Sequence, residues 1–351
     1  MSSNAVPSPS WRKDVEVGAL SHVGMVRSEN QDHWAWWEPE DDEDLKGKGR
    51  VLVVCDGMGG HNGGIVASRT TVEAMLESFD KSATCNLKRL LSTAIDRGNA
   101  LVRTKGQEDP ALRNMGTTCV AIALRGPQVQ IANIGDSRAY RIHDGQIEQA
   151  TRDHTYLNDL IEIGLLTPEK AKNHPERNII TRCVGMGDVV QVDFITRPAE
   201  AGDLFLLCSD GLYNHVEDDE ICECVSTYAP EEAAQKLVDL ANSRGGEDNI
   251  TVGIIRVTET PPEFEVANRE HPVDAAEDEG PETPTPIMTI GADEATPSIP
   301  APIAGNPGND ITALQQQVSI DPPRTGMKGW MILLAAELII LIILQALILG
   351  H

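Results

Sequence analysis

The stretch Val51-Leu52-Val53-Val54-Cys55-Asp56-Gly57-Met58-Gly59-Gly60 constrains the folding of this chain more than any other. Its first five residues are apolar and mostly β-branched, which predicts a buried strand. The strand ends on a carboxylate, followed by three glycines in four residues. A carboxylate at the tip of a buried strand is held rigidly at the edge of the core. Glycines beside it let main-chain carbonyls approach a ligand with no Cβ in the way. An ordinary strand and turn would have the same local spelling. The absence of a following Gly-Lys-Ser/Thr argues against a phosphate-cradling P-loop.

Repetition separates these readings. Val129–Ile134 predicts a strand that runs into Gly135-Asp136-Ser137-Arg138, and Leu204–Cys208 one that runs into Ser209-Asp210-Gly211. Asp248-Asn249 stands just before the apolar run Ile250–Ile255. No histidine–cysteine set accompanies these acids. An all-oxygen, multi-carboxylate site suits Mg²⁺ or Mn²⁺ rather than zinc. Crowded carboxylates cannot all stay ionised without cations between them. Two bridged ions would lower the pKa of a shared water and clamp an in-line displacement at phosphorus. Arg27, five residues before Asp32, carries a guanidinium fork that matches phosphate oxygens; a polar loop with a surface salt bridge is the other reading. No Ser-His-Asp nucleophile pattern is evident, and the one Cys-x5-Arg spacing, Cys119 to Arg125, runs along an apolar stretch that reads as a strand, so direct attack by a metal-activated water is the economical chemistry.

The charge balance agrees. A formal net charge of −25, from 54 acidic and 29 basic residues, argues against nucleic-acid binding and suits a pocket that collects divalent cations. Seven cysteines show no repeated zinc spacing; Cys222 and Cys224 form only a C-x-C, and Cys55 and Cys208 read as small core residues. An odd count without a signal peptide predicts reduced thiols in the cytosol.

With 351 residues the chain is long enough for one large domain or two smaller ones. Residues 1–13 are Ser/Pro-rich and predicted to be disordered; a domain over 14–258 follows. Within it, Val15–Leu20 reads as a strand and the acidic insert Glu38–Asp44 as a solvated loop. Ile65–Phe79 and Leu87–Val102 have helical spacing and are expected on one sheet face. Cys119–Leu124 and Ala139–Ile142 read as further strands, the latter with a hairpin turn at His143-Asp144-Gly145. Residues 152–187 are expected to form a flap with few strands, containing a helix from Tyr156 to Leu166 and another capped at Thr167; Glu231–Ser243 is a helix. The segment 259–327 reads as an acidic, Pro-rich, disordered linker: between Glu259 and Gly326 stand 13 acids against two basic residues and 12 of the 21 prolines. Trp330–Leu349 is an apolar run of about 20 residues, so 328–350 is expected to be a transmembrane helix. Arg324 and Lys328 on its N-terminal flank place the bulk of the protein on the cytoplasmic side of a single-pass anchor. Glu337 and Gln345, eight residues apart inside the span, are expected to meet a partner helix.

Arg27 with Asn30-Gln31-Asp32, Asp56-Gly57-Met58-Gly59-Gly60-His61, Met115-Gly116-Thr117-Thr118, Gly135-Asp136-Ser137-Arg138, Asp153-His154, Thr181-Arg182, Ser209-Asp210-Gly211 and Asp248-Asn249 occur in that order. This ordered set resembles that of the bacterial metal-dependent protein Ser/Thr phosphatases, the PP2C or PPM family, over residues 14–258. The resemblance implies an α+β, four-layer α-β-β-α sandwich with two or three Mn²⁺ or Mg²⁺ ions at one end. It implies that Asp56 bridges two metals, that the Gly57 carbonyl binds one, that Asp210 and Asp248 bind the other, and that Asp32 acts through waters. Asp136, with Asp210, matches a third-metal position; bracing Arg138 is the other reading of Asp136. Where animal members carry a histidine after the Asp-Gly, this chain has Met58, which leaves His61 and a metal-bound water as proton donors to the leaving alcohol. His154 reads as a flap-packing residue.

The expected function is hydrolysis of phosphoserine and phosphothreonine in proteins, with Arg27 holding the phosphoryl group, in a signalling enzyme tethered to the cytoplasmic membrane. Its expected partners are phosphoproteins, including a cognate kinase. A non-catalytic phosphoprotein-binding regulator and a phosphatase dedicated to one regulatory partner are the alternatives.

Overall fold

The structure is a computed structural model that describes residues 14–60, 62–171 and 174–259, all within the compact unit Met1–Glu282. Residues 1–13, His61, nearly all of the linker and the 328–350 span lie outside the described residues. Among the described residues no helix is long and apolar enough to cross a membrane.

In chain order the elements are β1 (Val15–His22), β2 (Asp32–Trp37), α1 (Asp42–Lys48), β3 (Arg50–Met58), α2 (Gly63–Lys81), α3 (Leu87–Glu108), β4 (Gly116–Thr117), β5 (Cys119–Arg125), β6 (Gln128–Ile134), β7 (Arg138–His143) and β8 (Gln146–Gln149). There follow α4 (Tyr156–Glu162), α5 (Pro168–Ala171), β9 (Asp193–Pro198), β10 (Leu204–Cys208), α6 (Asp210–Tyr213), α7 (Asp218–Thr227), α8 (Pro230–Ser243) and β11 (Ile250–Val257). They build two antiparallel sheets, one ordered β1-β11-β10-β7-β8, the other β2-β3-β5-β6-β9 with β4 beside β3.

Side-chain alternation along the strands explains the layering. On β3, Leu52 and Val54 face inward and pack with Val120, Ile122, Phe205, Leu207 and Ile255, which is the core between the sheets. Val51, Val53 and Cys55 face outward, onto Met75 and Phe79 of α2 and Leu91 and Ile95 of α3. The other sheet repeats this: Leu206, Cys208 and Ile254 meet Ala234, Leu237 and Val238 of α8. Strands covered on both faces read as unbroken apolar runs, which is why β3 and β10 stand out in the sequence. The arrangement is four layers, helix–sheet–sheet–helix.

The acidic insert departs from the solvated loop expected of it. Asp42–Lys48 is a helix whose N-cap, Asp41, accepts from the Glu43 and Asp44 amides. Acids fill its first turn, and Lys46 and Lys48 its last, which suits the macrodipole. The Glu38 side chain is largely covered, and with Asp14 it neutralises Arg50, itself only 3% exposed at the start of β3.

Candidate metal centre

Hydrogen bonds that lock the backbone around it fix the tip of β3. Thr117 Oγ1 and the Thr118 amide both donate to the Asp56 carbonyl, at 2.8 and 2.9 Å, and the Asp56 amide donates to Thr118 Oγ1. Thr118 Oγ1 also hydrogen-bonds Ser137 Oγ at 2.7 Å, so the Met-Gly-Thr-Thr and Gly-Asp-Ser-Arg segments brace one another. Gly57 allows close approach: a Cβ there would lie 2.1 Å from the Gly64 carbonyl oxygen.

Each remaining acid arrives on a different element. Asp136 follows β6 after Gly135, whose φ of +102° favours glycine. Asp210 opens α6 at the end of β10, and Asn214 donates to its Oδ2. Asp248 precedes β11 and accepts from the Asn249 amide. Asn249 in turn donates to the Val23 and Glu29 carbonyls and accepts from the Gln31 amide, pinning the loop that carries Arg27. Arg27 Nη2 meets Asp248 Oδ2 at 2.8 Å.

Arg27, Asp56, Gly57, Asp136, Asp210 and Asp248 line one cavity of about 610 Å³. Asp32 lies behind it, directly opposite Asp56 on the neighbouring strand. Its Oδ2 accepts from Ser209 Oγ and Thr251 Oγ1, both at 2.7 Å. Among the described residues its buried Oδ1 has no donor other than the Asp56 carboxyl, and that one only when protonated. Across from it stands the Asp56 carboxylate, which when ionised has no proton to give.

Burial, then mutual repulsion, pushes these carboxyls upward. Asp32 rises to about 6, and Asp210 to about 8, where Asp136 and Asp248 add to burial. Asp136 also reaches about 6, and Asp56 rises well above the carboxylate range with Asp32, Asp210, Asp136 and Asp248 all acting on it. Arg27 is the cation at this cavity, and its own pKa is raised first by the bond to Asp248. Four aspartates on the cavity wall, with Glu29 beside them and Asp32 behind, face one guanidinium and so lack positive charge. The donor set is entirely oxygen, so it fits Mg²⁺ or Mn²⁺. Among the described residues no three Asp, Glu, His or Cys side chains close on one ion position. One or two carboxylates per ion, with several retained waters, is how a small octahedral cation is held.

Sequence reasoning assigned Asp136 two readings, and Arg138 is in fact braced by Asp153, through bonds of 2.7 to 3.1 Å, and lies over the Tyr213 ring. It read His154 as packing. The ring is fully buried, but its Nδ1 accepts the Gly135 N–H at 3.1 Å, which puts the ring proton on Nε2, facing Asp193 at 3.0 Å. Arg182 holds the other Asp193 oxygen, so Asp153-His154 and Thr181-Arg182 together brace the turn before Asp136. Asn178 and Ile180 of the flap also line the cavity and were not foreseen, since no spacing signals which flap residues turn inward. His61 lies outside the described residues.

The family described as protein phosphatase 2C matches residues 25–241. The serine/threonine protein phosphatase PstP of Mycobacterium tuberculosis is 36% identical over 245 residues, covering 70% of this chain and 45% of PstP. The chain therefore spans about half the length of that relative. Protein phosphatase PhpP of Streptococcus pneumoniae is 36% identical over 250 residues, 70% of this chain and 98% of PhpP. The crystal structure of the PstP catalytic domain in complex with two manganese ions superposes with a TM-score of 0.61 at 35% identity, covering 70% of this chain and 99% of that one.

Proposed function

The chain belongs to the protein phosphatase 2C family, and from that premise we propose that it hydrolyses phosphoserine and phosphothreonine esters in proteins, with Mn²⁺ or Mg²⁺ as cofactor. Asp56, Gly57, Asp210 and Asp248 would hold two ions, and Asp136 with Asp210 a third. Bound divalent ions supply Lewis acidity, which lowers the pKa of water and neutralises phosphoryl charge. Arg27 spends Nη2 on Asp248 and keeps Nη1 and Nε for the phosphoryl oxygens. Asp32, fixed by Ser209 and Thr251, would act through waters from behind Asp56. The reaction adds water across the P–O ester bond and releases the Ser or Thr hydroxyl. Four aspartates from separate elements on the wall of a cavity that offers one arginine, backed by Asp32, is the observation that carries the reading.

Turnover of p-nitrophenyl phosphate and of a phosphothreonine peptide should vanish with EDTA and return with Mn²⁺. Full activity in Asp56→Ala would refute the metal assignment. An Asp210→Asn strain compared with wild type by phosphoproteomics would name the substrates, a cognate kinase among those expected.

The reading extends to location. Residues 14–258 form the catalytic domain, with 152–187 as its flap; 259–327 is the tether, and 328–350 crosses the cytoplasmic membrane once, leaving the enzyme in the cytoplasm. The apolar run and its basic flank support this, and Glu337 and Gln345 offer a partner helix two polar side chains within the bilayer. Truncation after residue 327 should move the protein from the membrane to the soluble fraction; unchanged fractionation would rule the anchor out.

A further inference from the structure

A single turn of helix ties together three of the cavity's acids. α6 opens on Asp210. Its second residue, Gly211, lies so close to the main chain beside Asp248 that a Cβ there would stand 2.1 Å from the Asn249 carbonyl oxygen. Leu212 is buried in the core under the helix. Its last residue, Tyr213, reaches away from the other two and donates its hydroxyl to the Asp136 carbonyl at 2.9 Å. The phosphatase reading makes no use of this tyrosine.

Asp136 stands in the turn between β6 and β7, after a glycine at φ +102°. The flanks of that turn are held by other elements: His154 Nδ1 accepts the Gly135 N–H at 3.1 Å, and Ser137 Oγ hydrogen-bonds Thr118 Oγ1 at 2.7 Å. Asp136 itself is held through its carbonyl, by Tyr213. The phenol ring is held in turn. The Arg138 guanidinium lies over its face, 3.6 Å from the centroid, and Asp153 anchors that guanidinium at 2.7 Å. Asp136 and Asp210 line the same cavity, and Asp136 is the neighbouring acid that acts most on Asp210. One short helix therefore carries the first of these carboxylates and grips the backbone of the second.

We propose that Tyr213 is a positioning residue: by holding the Asp136 carbonyl, its hydroxyl sets where the Asp136 carboxylate stands relative to Asp210, and so the affinity for the divalent ion the two would share. This role rests on the phosphatase reading and adds to it a residue that touches neither substrate nor metal.

Tyr213→Phe removes the hydroxyl and keeps the ring under Arg138. Mn²⁺ is titrated into the full-length protein after EDTA treatment and dialysis, with free Mn²⁺ read by electron paramagnetic resonance and p-nitrophenyl phosphate turnover followed in parallel. The ion lost in Asp136→Asn identifies the site in question. Tyr213→Phe should raise the dissociation constant of that ion about 3- to 10-fold, the size of one lost hydrogen bond, and leave the other ions within about 2-fold. In the Asp136→Asn background the same substitution should change Mn²⁺ binding by less than about 2-fold, because the two residues act as a unit. Tyr140→Phe is the control: it removes a hydroxyl that meets Arg138 Nη1 at 3.0 Å and should leave every ion unmoved. Binding in Tyr213→Phe equal to wild type, an equal loosening with Asp136 already replaced, or the same loosening in Tyr140→Phe would overturn the positioning role alone. A wild-type protein that neither binds Mn²⁺ nor turns over p-nitrophenyl phosphate with it would overturn the phosphatase reading and this role with it.

Discussion

Replacing Asp32 with asparagine separates the stability of the fold from its capacity for cations. Asp32 and Asp56 face one another across β2 and β3, and like charges directly opposite on adjacent strands repel. In the metal-free protein, burial first and then neighbouring acid raise the Asp32 carboxyl from 3.8 to about 6. The sign follows from linkage: the proton is held more tightly in the folded state. The resulting penalty is absent below 3.8, grows between 3.8 and about 6, and is complete above 6. About two pKa units at 1.36 kcal/mol each give a penalty on the order of 3 kcal/mol at pH 7.5. Asparagine keeps an oxygen for Ser209 and Thr251 and sets an amide N–H, rather than a second charged oxygen, beside Asp56 on the neighbouring strand. The EDTA-treated Asp32→Asn protein should therefore melt above the wild type at pH 7.5, by roughly 6 to 12 °C for a domain of this size. The gain should shrink as pH falls to 4. In millimolar Mn²⁺ the wild type should rise in Tm more than the variant does, because binding stabilises only what can bind. Differential scanning fluorimetry across pH, with EDTA or Mn²⁺, reads all of these. A metal-free variant no more stable than wild type, or an Mn²⁺ shift equal in both, would refute the reasoning.

Further outcomes are expected. Gly57→Ala drives a Cβ to 2.1 Å from the Gly64 carbonyl oxygen and 2.6 Å from that of Gln31; it should cost about 2–4 kcal/mol in urea denaturation and at least about 100-fold in kcat. Arg27→Lys keeps the charge but loses the fork: kcat/KM on a phosphothreonine peptide should fall about 10- to 100-fold, while stability moves by less than about 1 kcal/mol, since the pair with Asp248 is half-exposed. The His143 Nδ1 lies 2.6 Å from the buried Asp203, which raises the imidazole pKa. Its contribution to stability is complete below 6.5 and lost as pH rises through the raised value. NMR titration should place His143 above 6.5, and Asp203→Asn should bring it down.

The four cavity aspartates were legible in the sequence because each stands at one end of a continuous apolar run, Asp248 just before its run and the others just after theirs, and a strand buried on both faces leaves that mark. Asp56, Asp136, Asp210 and Asp248 could be placed at strand tips without knowing which strands were neighbours. The positions of Asn249 and His154 in the network could not be read, since each acts through main-chain groups distant in sequence: Asn249 on Val23 and Glu29, His154 on Gly135. The pairing of Asp32 with Asp56 was hidden for a similar reason. β2 is rich in tryptophan and only partly buried, so its register against β3 leaves no periodic trace. The helix Asp42–Lys48 was missed because capping and macrodipole charge stabilise it rather than an apolar face, and among acids that pattern reads as solvated loop.

These observations share one physical cause. Burying like charges side by side opposes folding, and the chain tolerates it because both sheets are packed on both faces. Leu52 and Val54 hold β3 from one side, Val51, Val53 and Cys55 from the other, and threonine and serine hydroxyls lock the backbone at its tip. Packing and hydrogen bonds therefore hold the backbone where β3 delivers its acid, which limits how far the acids can move apart to relax the repulsion. Protonation or a cation must relieve it instead. At neutral pH the cation is the relief that leaves the oxygens ionised and able to act, so the strain carried by the metal-free fold is also the source of its affinity.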